Sequence, residues 1–288
     1  VTVDKLHDAA AHTGCRTILR VGPPGRQAAW EPFNRQHEGR FDTTRNLYKS
    51  VLGDKLRFEE INHELRLAFR YTWATSDRYG FVRSCELENL GTKPVSVELV
   101  DGLQNILPAG TPSFVQASAS NLVNAYKWTE LDAGSGLAMF ALYAGISDRA
   151  EPFESLRANV VYCLGLDKPT VLLSSLQLAG FSRGTPVVQE TRKRGIRGAY
   201  FVGATMELPA RSSRRWQIVA DIERTQGQVV ELIGELGRPV DLARAVARSV
   251  DAGRDELARI VASADGFQAA HEEVVTAHHY ANGLFNVL

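Results

Sequence analysis

Several groups of residues have types and spacings on which chemistry could rest. Gly180-Phe181-Ser182-Arg183-Gly184 has the G-x-S-x-G spacing of a hydrolase nucleophile elbow. Such an elbow needs a strand before the serine and a helix directly after it. Here Thr185-Pro186-Val187-Val188 follows, which reads as extended chain, so the expectation is a loop or strand end. His271-Glu272 opens like a zinc-protease H-E-x-x-H, but the second histidine position holds Val275. His271 and His278 stand seven apart and could share a helix face, yet no third ligand accompanies them, so no metal is expected. The carboxylates Glu59-Glu60, and Glu86 with Glu88, are the pairs that could serve acid–base glycoside chemistry. That chemistry needs two carboxyls facing each other across a cleft, ~5–9.5 Å apart. Neighbours on a strand point to opposite faces, so Glu59 and Glu60 cannot form such a pair unaided. Glu86 and Glu88 share a face, but nothing in the sequence marks a cleft beside them.

Trp30, Trp73, Trp128 and Trp216 could be platforms on which a sugar ring stacks. Trp73 belongs to an apolar face and reads as core. Trp30, among Pro23, Pro24, Gly25 and Pro32, is the best exposed candidate. Arg183 to Trp216 holds eight Arg or Lys (Arg183, Arg192, Lys193, Arg194, Arg197, Arg211, Arg214, Arg215) against Glu190 and Glu207. The segment lacks interleaved aromatics for base stacking and any duplex-reading motif, so it reads as a solvated or interdomain face rather than a nucleic-acid site. There is no G-x-G-x-x-G or Walker pattern, so nucleotide binding has no motif support. No residue is assigned a catalytic, cofactor-binding or metal-binding role, and no cofactor is expected.

The elements that would position these residues divide near residue 226. Leu65, Leu67, Phe69, Tyr71 and Trp73 alternate with Arg66, Arg70 and Thr72, the period of a half-buried antiparallel strand. Phe81, Cys85 and Leu87 oppose Ser84 and Glu86 on the next strand. Asn89 to Pro94 is a turn, and Val95, Val97 and Leu99 resume the alternation. Asn121 to Leu131 reads as a strand with Tyr126 and Trp128 on one face, and Asp132 to Gly136 as a hairpin turn into Leu137 to Ala144. Further strands are expected at Ala158 to Leu164, Thr170 to Leu178, Ala199 to Leu208 and Arg214 to Glu223. Many short strands with frequent turn signals predict two large packed antiparallel sheets. After Thr225 the pattern becomes helical. Val229, Val230, Leu232 and Ile233 fit a short helix closed by Gly237 and Pro239, and Asp241 to Ala264 fits a longer one. A last helix is expected from about Phe267, with Val274, His278, Ala281, Phe285 and Leu288 as its stripe. The fold class is therefore mainly β: residues 1–225 as a sandwich domain and 226–288 as a helical linker segment.

Composition narrows the class. The 288 residues carry 33 Lys plus Arg against 33 Asp plus Glu, and 44% are hydrophobic. Disorder, collagen-like repeats and a strongly charged nucleic-acid-binding tail are excluded. No stretch approaches the ~20 apolar residues of a membrane span. Cys15, Cys85 and Cys163 are odd in number and far apart, which fits free buried thiols and a cytoplasmic location. The chain starts at Val1 and stops on apolar Leu288, which suggests a piece of a longer polypeptide.

Three stretches resemble one family: Phe58-Glu59-Glu60-Ile61-Asn62-His63 leading into Phe69 to Arg83; Asp101-Gly102-Leu103-Gln104-Asn105-Ile106-Leu107-Pro108; and His278-His279-Tyr280-Ala281-Asn282-Gly283-Leu284-Phe285-Asn286-Val287-Leu288. Together they are similar to the N-terminal part of large bacterial cellobiose-phosphorylase-like proteins. The resemblance implies a galactose-mutarotase-like β-supersandwich, then linker helices, then an (α/α)6 barrel as partner. It also implies that the family's catalytic Asp and phosphate-binding residues lie in that barrel, so none is carried onto this chain. An inactive carbohydrate-associated domain, with an oligosaccharide and a homodimer as possible partners, is the expectation. Two alternatives stand beside it: a non-catalytic carbohydrate-binding or dimerisation module, and a mutarotase-type epimerase. The epimerase needs His and Glu in a sheet cleft, and only His63 falls in the strand region proper, with His37 in an early loop.

Overall fold

The computed structural model describes residues 11–118, 120–144 and 156–264, together with Val274, His278, Ala281 and Asn282. Two antiparallel sheets pack face to face. The smaller contains β1 (Gly14–Val21), β2 (Ala28–Trp30), β7 (Val95–Ile106), β11 (Thr170–Leu172) and β13 (Gly198–Leu208), in the order β11-β13-β7-β1-β2. The larger contains β3 (Thr43–Lys49), β4 (Leu56–Asn62), β5 (Leu67–Ser76), β6 (Gly80–Asn89), β8 (Lys127–Asp132), β9 (Leu137–Leu142), β10 (Arg157–Leu164), β12 (Arg192–Arg194) and β14 (Ser213–Thr225). Its order is β12-β8-β9-β10-β14-β6-β5-β4-β3. The mainly-β class is as the alternating pattern requires.

Alternation decides what each face meets. Phe69, Tyr71, Cys85, Leu87, Trp216 and Ile218 project from the large sheet onto Leu19, Val97, Leu99, Tyr200 and Val202 of the small one, forming the central core. The opposite face of the large sheet presents Val82, Val160, Tyr162 and Val219, and two helices cover it: α4 (Gln226–Leu236) and α5 (Pro239–Ser263). Leu232, Leu236, Leu242, Val246 and Val250 recur at helical spacing along the covered stripe. The outer face of the small sheet buries Ile18, Val100 and Phe201 under α3 (Leu178–Ser182). The result is a helix–sheet–sheet–helix stack, with each fully buried Leu or Phe stabilising it by ~1.5–3 kcal/mol.

Local chemistry sets the boundaries. Asp132 accepts from the Ser135 N–H at 2.9 Å and closes the β8–β9 hairpin. Asn89 ends β6 by donating to the carbonyls of Lys93, Leu208 and Pro209 while its own oxygen accepts from Gly91 N–H. Thr225 ends β14 and starts α4 through a reciprocal capping box with Gln228. At Gly102 any side chain would collide with the neighbouring strand, since a Cβ there would lie 2.0 Å from the Tyr200 carbonyl oxygen.

Two expected strands are corrected. Asn121 to Leu131 is not one strand: Ser120–Tyr126 is helix α2, preceded by α1 (Ser113–Ser118), and only β8 is extended. Seven residues with a single buried side chain, Val123, carry too little periodicity to separate helix from strand. Thr170 to Leu178 is extended only over β11. The chain then turns because Glu190 accepts from the Leu173 N–H and the Ser174 hydroxyl, and α3 begins at Leu178. Of the last expected helix, Val274, His278 and Ala281 are helical, with Val274 exposed and Ala281 buried, while Phe267, His271, Phe285 and Leu288 lie outside the described residues.

Candidate functional site

A groove of about 820 Å³ runs between the first turns of α5 and the outer face of the large sheet. Thr72 on β5, Ser84 on β6 and Gln217 on β14 form its floor, and Pro239, Val240 and Ala243 of α5 form one wall. Glu86 stands at its edge, gripped by Arg215 at 2.7 Å and Arg57 at 3.4 Å, with Arg70 at 3.9 Å. Arg70 also binds Glu59 and Glu88. Burial pushes the Glu86 carboxyl up, but the bonds and charge of Arg215 and the charge of Arg70 outweigh it and hold its pKa below the ordinary value. An ionised, arginine-bound Glu86 has no proton to give, so it is unsuited to general-acid work. The floor hydroxyls and amide suit hydrogen bonding to a polyhydroxyl ligand.

A second concavity of about 480 Å³ opens at one margin of the sandwich, lined by Cys15, Arg16, Glu31, Phe33, Tyr71 and Gln104 among others. Glu31 is buried and accepts from Arg16 at 3.0 Å, Asn34 at 2.7 Å and the Ser182 hydroxyl at 2.9 Å. Phe33 has φ 64°, the left-handed region that a bulky side chain rarely enters. Its N–H donates to Glu60 at 2.7 Å, and its ring packs edge-on against Phe58 and Tyr71, which together hold the strained conformation.

Between the sheets lies a polar knot. Arg83 of β6 and Asp101 of β7 are both fully buried, and the guanidinium spans both carboxylate oxygens at 2.9 and 2.8 Å. Asp101 also accepts from the Thr17 hydroxyl at 2.6 Å and the Trp216 indole at 2.8 Å, and the Cys85 thiol lies 3.5 Å away. Burial alone would lower the Arg83 pKa; the Asp101 charge raises it above the ordinary value. Burial pushes the Cys85 thiol up, so it is not a nucleophile. The Arg83–Asp101 pair joins the sheets and lines neither groove, although its partners Cys85 and Trp216 back the first and Thr17 backs the second.

The residues singled out in the sequence fall in different places. Ser182 ends α3, with the helix before it rather than after it, and its hydroxyl goes to Glu31, so no elbow exists. Glu59 and Glu60 do point to opposite faces: Glu59 binds Arg70 and Asn46, and Glu60 binds Trp30, Phe33 N–H and Arg45. Glu86 and Glu88 share a face and also an arginine. Trp30, expected to be exposed, is 1% exposed, because its indole N–H is drawn inward to Glu60 at 2.8 Å. Trp216 is buried and Trp73 packs against the core. Trp128 is partly exposed. His63 sits in the turn after β4, bonded to Thr44 on the exposed surface. The basic segment disperses: Arg192 goes to Glu130, Lys193 to Glu190, Arg214 to the Gly165 carbonyl and Arg215 to Glu86. Sequence reasoning missed the Arg83–Asp101 knot. The signal was available, since Arg83 stands on the apolar parity of β6 between Phe81 and Cys85.

No family model matches the chain. No curated protein matches it. Among solved structures it is similar to a bacterial glucoamylase complexed with acarbose: 8% identity over 94% of this chain and 31% of that one, TM-score 0.44. It is similar to a candidate kojibiose phosphorylase from the human microbiome: 9% identity over 93% of this chain and 28% of that one, TM-score 0.38. It is also similar to a galactose mutarotase-like protein from Lactobacillus casei: 10% identity over 72% of this chain and 84% of that one, TM-score 0.32. The chain thus spans under a third of the length of the first two. Among the described residues, no helix is long and apolar enough to cross a membrane.

Proposed function

We propose that this chain is the N-terminal carbohydrate-associated domain of a larger carbohydrate-active enzyme of the glycoside phosphorylase or hydrolase type, and is inactive by itself. Residues 1–225 would be the sandwich domain and 226–288 the linker to a helical barrel. The observation that carries this reading is the order of elements: a sandwich of five and nine strands, then two helices folded back on the larger sheet. That order, with the three strings, is what the resemblance implies for the part of such an enzyme that precedes its catalytic barrel. The titratable groups agree with a supporting role, because Glu86, Glu59, Glu31 and Asp101 are each committed to arginine partners. The domain would support the barrel, rim its sugar site and contribute dimer contacts. The test is to assay the 288-residue chain and a longer parent chain on β-linked disaccharides with phosphate. Turnover confined to the parent is expected; robust turnover by the 288-residue chain overturns the reading. The epimerase alternative is disfavoured by the surface position of His63; no anomer interconversion above background is expected from the chain, and an activity abolished by His63→Ala would favour that alternative.

A further inference from the structure

At the β12 end of the large sheet, its outer face carries an arrangement that the groove and the knot do not explain. Three strands meet there in register, Arg192 opposite Glu130, Arg194 opposite Trp128 and Trp128 opposite Ala141. The Arg194 guanidinium lies over the Trp128 ring at 3.6 Å, and that of Arg192 at 5.3 Å. Tyr143, just beyond β9, stacks on the same indole, with ring centroids 6.1 Å apart and 13° between the planes. Tyr143 is 74% exposed. The aromatics missing from the basic segment in sequence are thus supplied by neighbouring strands.

Two details make this more than a surface stack. Arg192 donates to Glu130 at 3.0 Å, and Trp128 N–H donates to the other oxygen of Glu130 at 3.2 Å, so Glu130 fixes the indole and one guanidinium together. The Arg192 bond holds the Glu130 carboxyl below its ordinary pKa, with Trp128 and Arg194 acting in the same direction. Arg194, by contrast, is exposed and has no hydrogen bond or ion pair among the described residues. Its flat face is held on the indole while its in-plane N–H fork is open. A guanidinium immobilised by stacking loses little freedom when its fork engages a planar anion. Across the indole from it Tyr143 offers an aromatic ring with wide exposure, the kind of surface that receives the C–H face of a pyranose.

We propose that the Tyr143–Trp128–Arg194 stack, with Arg192, is a binding site for an acidic oligosaccharide, in which a uronate carboxylate takes the Arg194 fork and a sugar ring of the same oligosaccharide lies against Tyr143. The choice of a sugar over another anionic ligand rests on the carbohydrate-associated reading above. The single widely exposed ring favours it over single-stranded nucleic acid, whose successive bases need a run of stacking platforms. The 288-residue chain is titrated with a glucuronate oligosaccharide, a neutral cello-oligosaccharide and oligo-dT, following heat and indole fluorescence. Glucuronate binding should weaken with salt. It should fall about tenfold or more in Arg194→Gln and in Tyr143→Ala, with Arg194→Lys recovering only part because the charge returns without the fork. Unfolding curves of the exposed-site variants should match that of the parent chain. Equal binding of the neutral oligosaccharide, insensitive to Arg194→Gln, overturns the acidic site while leaving the carbohydrate reading intact. Tighter binding of oligo-dT, or no binding of any probe, overturns the site as well.

Discussion

Removing one member of the Arg83–Asp101 pair leaves a charge with no water to turn to. Arg83→Met is expected to destabilise the chain by about 3–5 kcal/mol, the usual cost of orphaning a buried ion, and denaturant unfolding measures it. Asp101→Asn should cost less than the full amount, because Trp216 and Thr17 still find an oxygen there. Acid tests the other carboxylates. At Glu31, Glu59, Glu86 and Glu190 burial alone would raise the pKa, but arginine, lysine, amide and hydroxyl partners outweigh it and hold each below 4.5. Groups whose folded pKa is depressed contribute fully above the unfolded value and lose that contribution as the pH falls through the folded one. The urea midpoint should therefore hold above about pH 5 and decline steadily below about pH 4.5. A flat profile down to pH 3 would count against those partnerships. The sequence already carried part of this. The split of Glu59 from Glu60 follows from strand parity alone. The burial of Trp30 does not, because its partner Glu60 is 30 positions away and the Pro/Gly-rich loop around it looks like solvent-facing chain.

Among the elements, legibility follows periodicity. β5, β6 and β14 each bury one face, so their side chains advertise them. β11 has three residues and α3 five, and both are set by a tertiary carboxylate, Glu190, that no local pattern encodes. The two C-terminal helices were visible because α5 repeats Leu242, Val246 and Val250 over 25 residues. The α4 start is a further test: Thr225→Ala removes half of the capping box and should cost about 1 kcal/mol, read as a shift in denaturation midpoint without loss of fold. Gly102 is a stricter site. Its strand is flanked by β1 and β13, and Gly102→Ala forces the β13 backbone away, so at least the ~1–3 kcal/mol of overpacking is expected. The outer groove was not legible, because it is made where α5 crosses the β5–β6 hairpin and β14, which are more than 120 positions apart in the chain.

For the whole molecule, the helical annex is a cover for the large sheet. Removing residues 226–288 would bare Val82, Val160, Tyr162 and Val219 on one face of the large sheet, a contiguous apolar patch of the kind that drives association. The truncated chain should bind a hydrophobic dye and elute as aggregate, whereas one that stays monomeric and dye-silent would show the annex to be dispensable. The sheet order also has a consequence in time. β3 to β6 form a local meander that can assemble as soon as it is made, but β6 finds its second neighbour only in β14, where Gln217 reaches Ser84 across 133 positions. The knot waits similarly for Trp216, 115 positions after Asp101. At roughly 5–20 residues per second of synthesis, the meander spends on the order of ten seconds with a bare hydrogen-bonding edge in a half-built sandwich. The molecule's exposed period is therefore its own synthesis, and a chaperone that shelters the β6 edge until residue 225 has emerged should raise its yield.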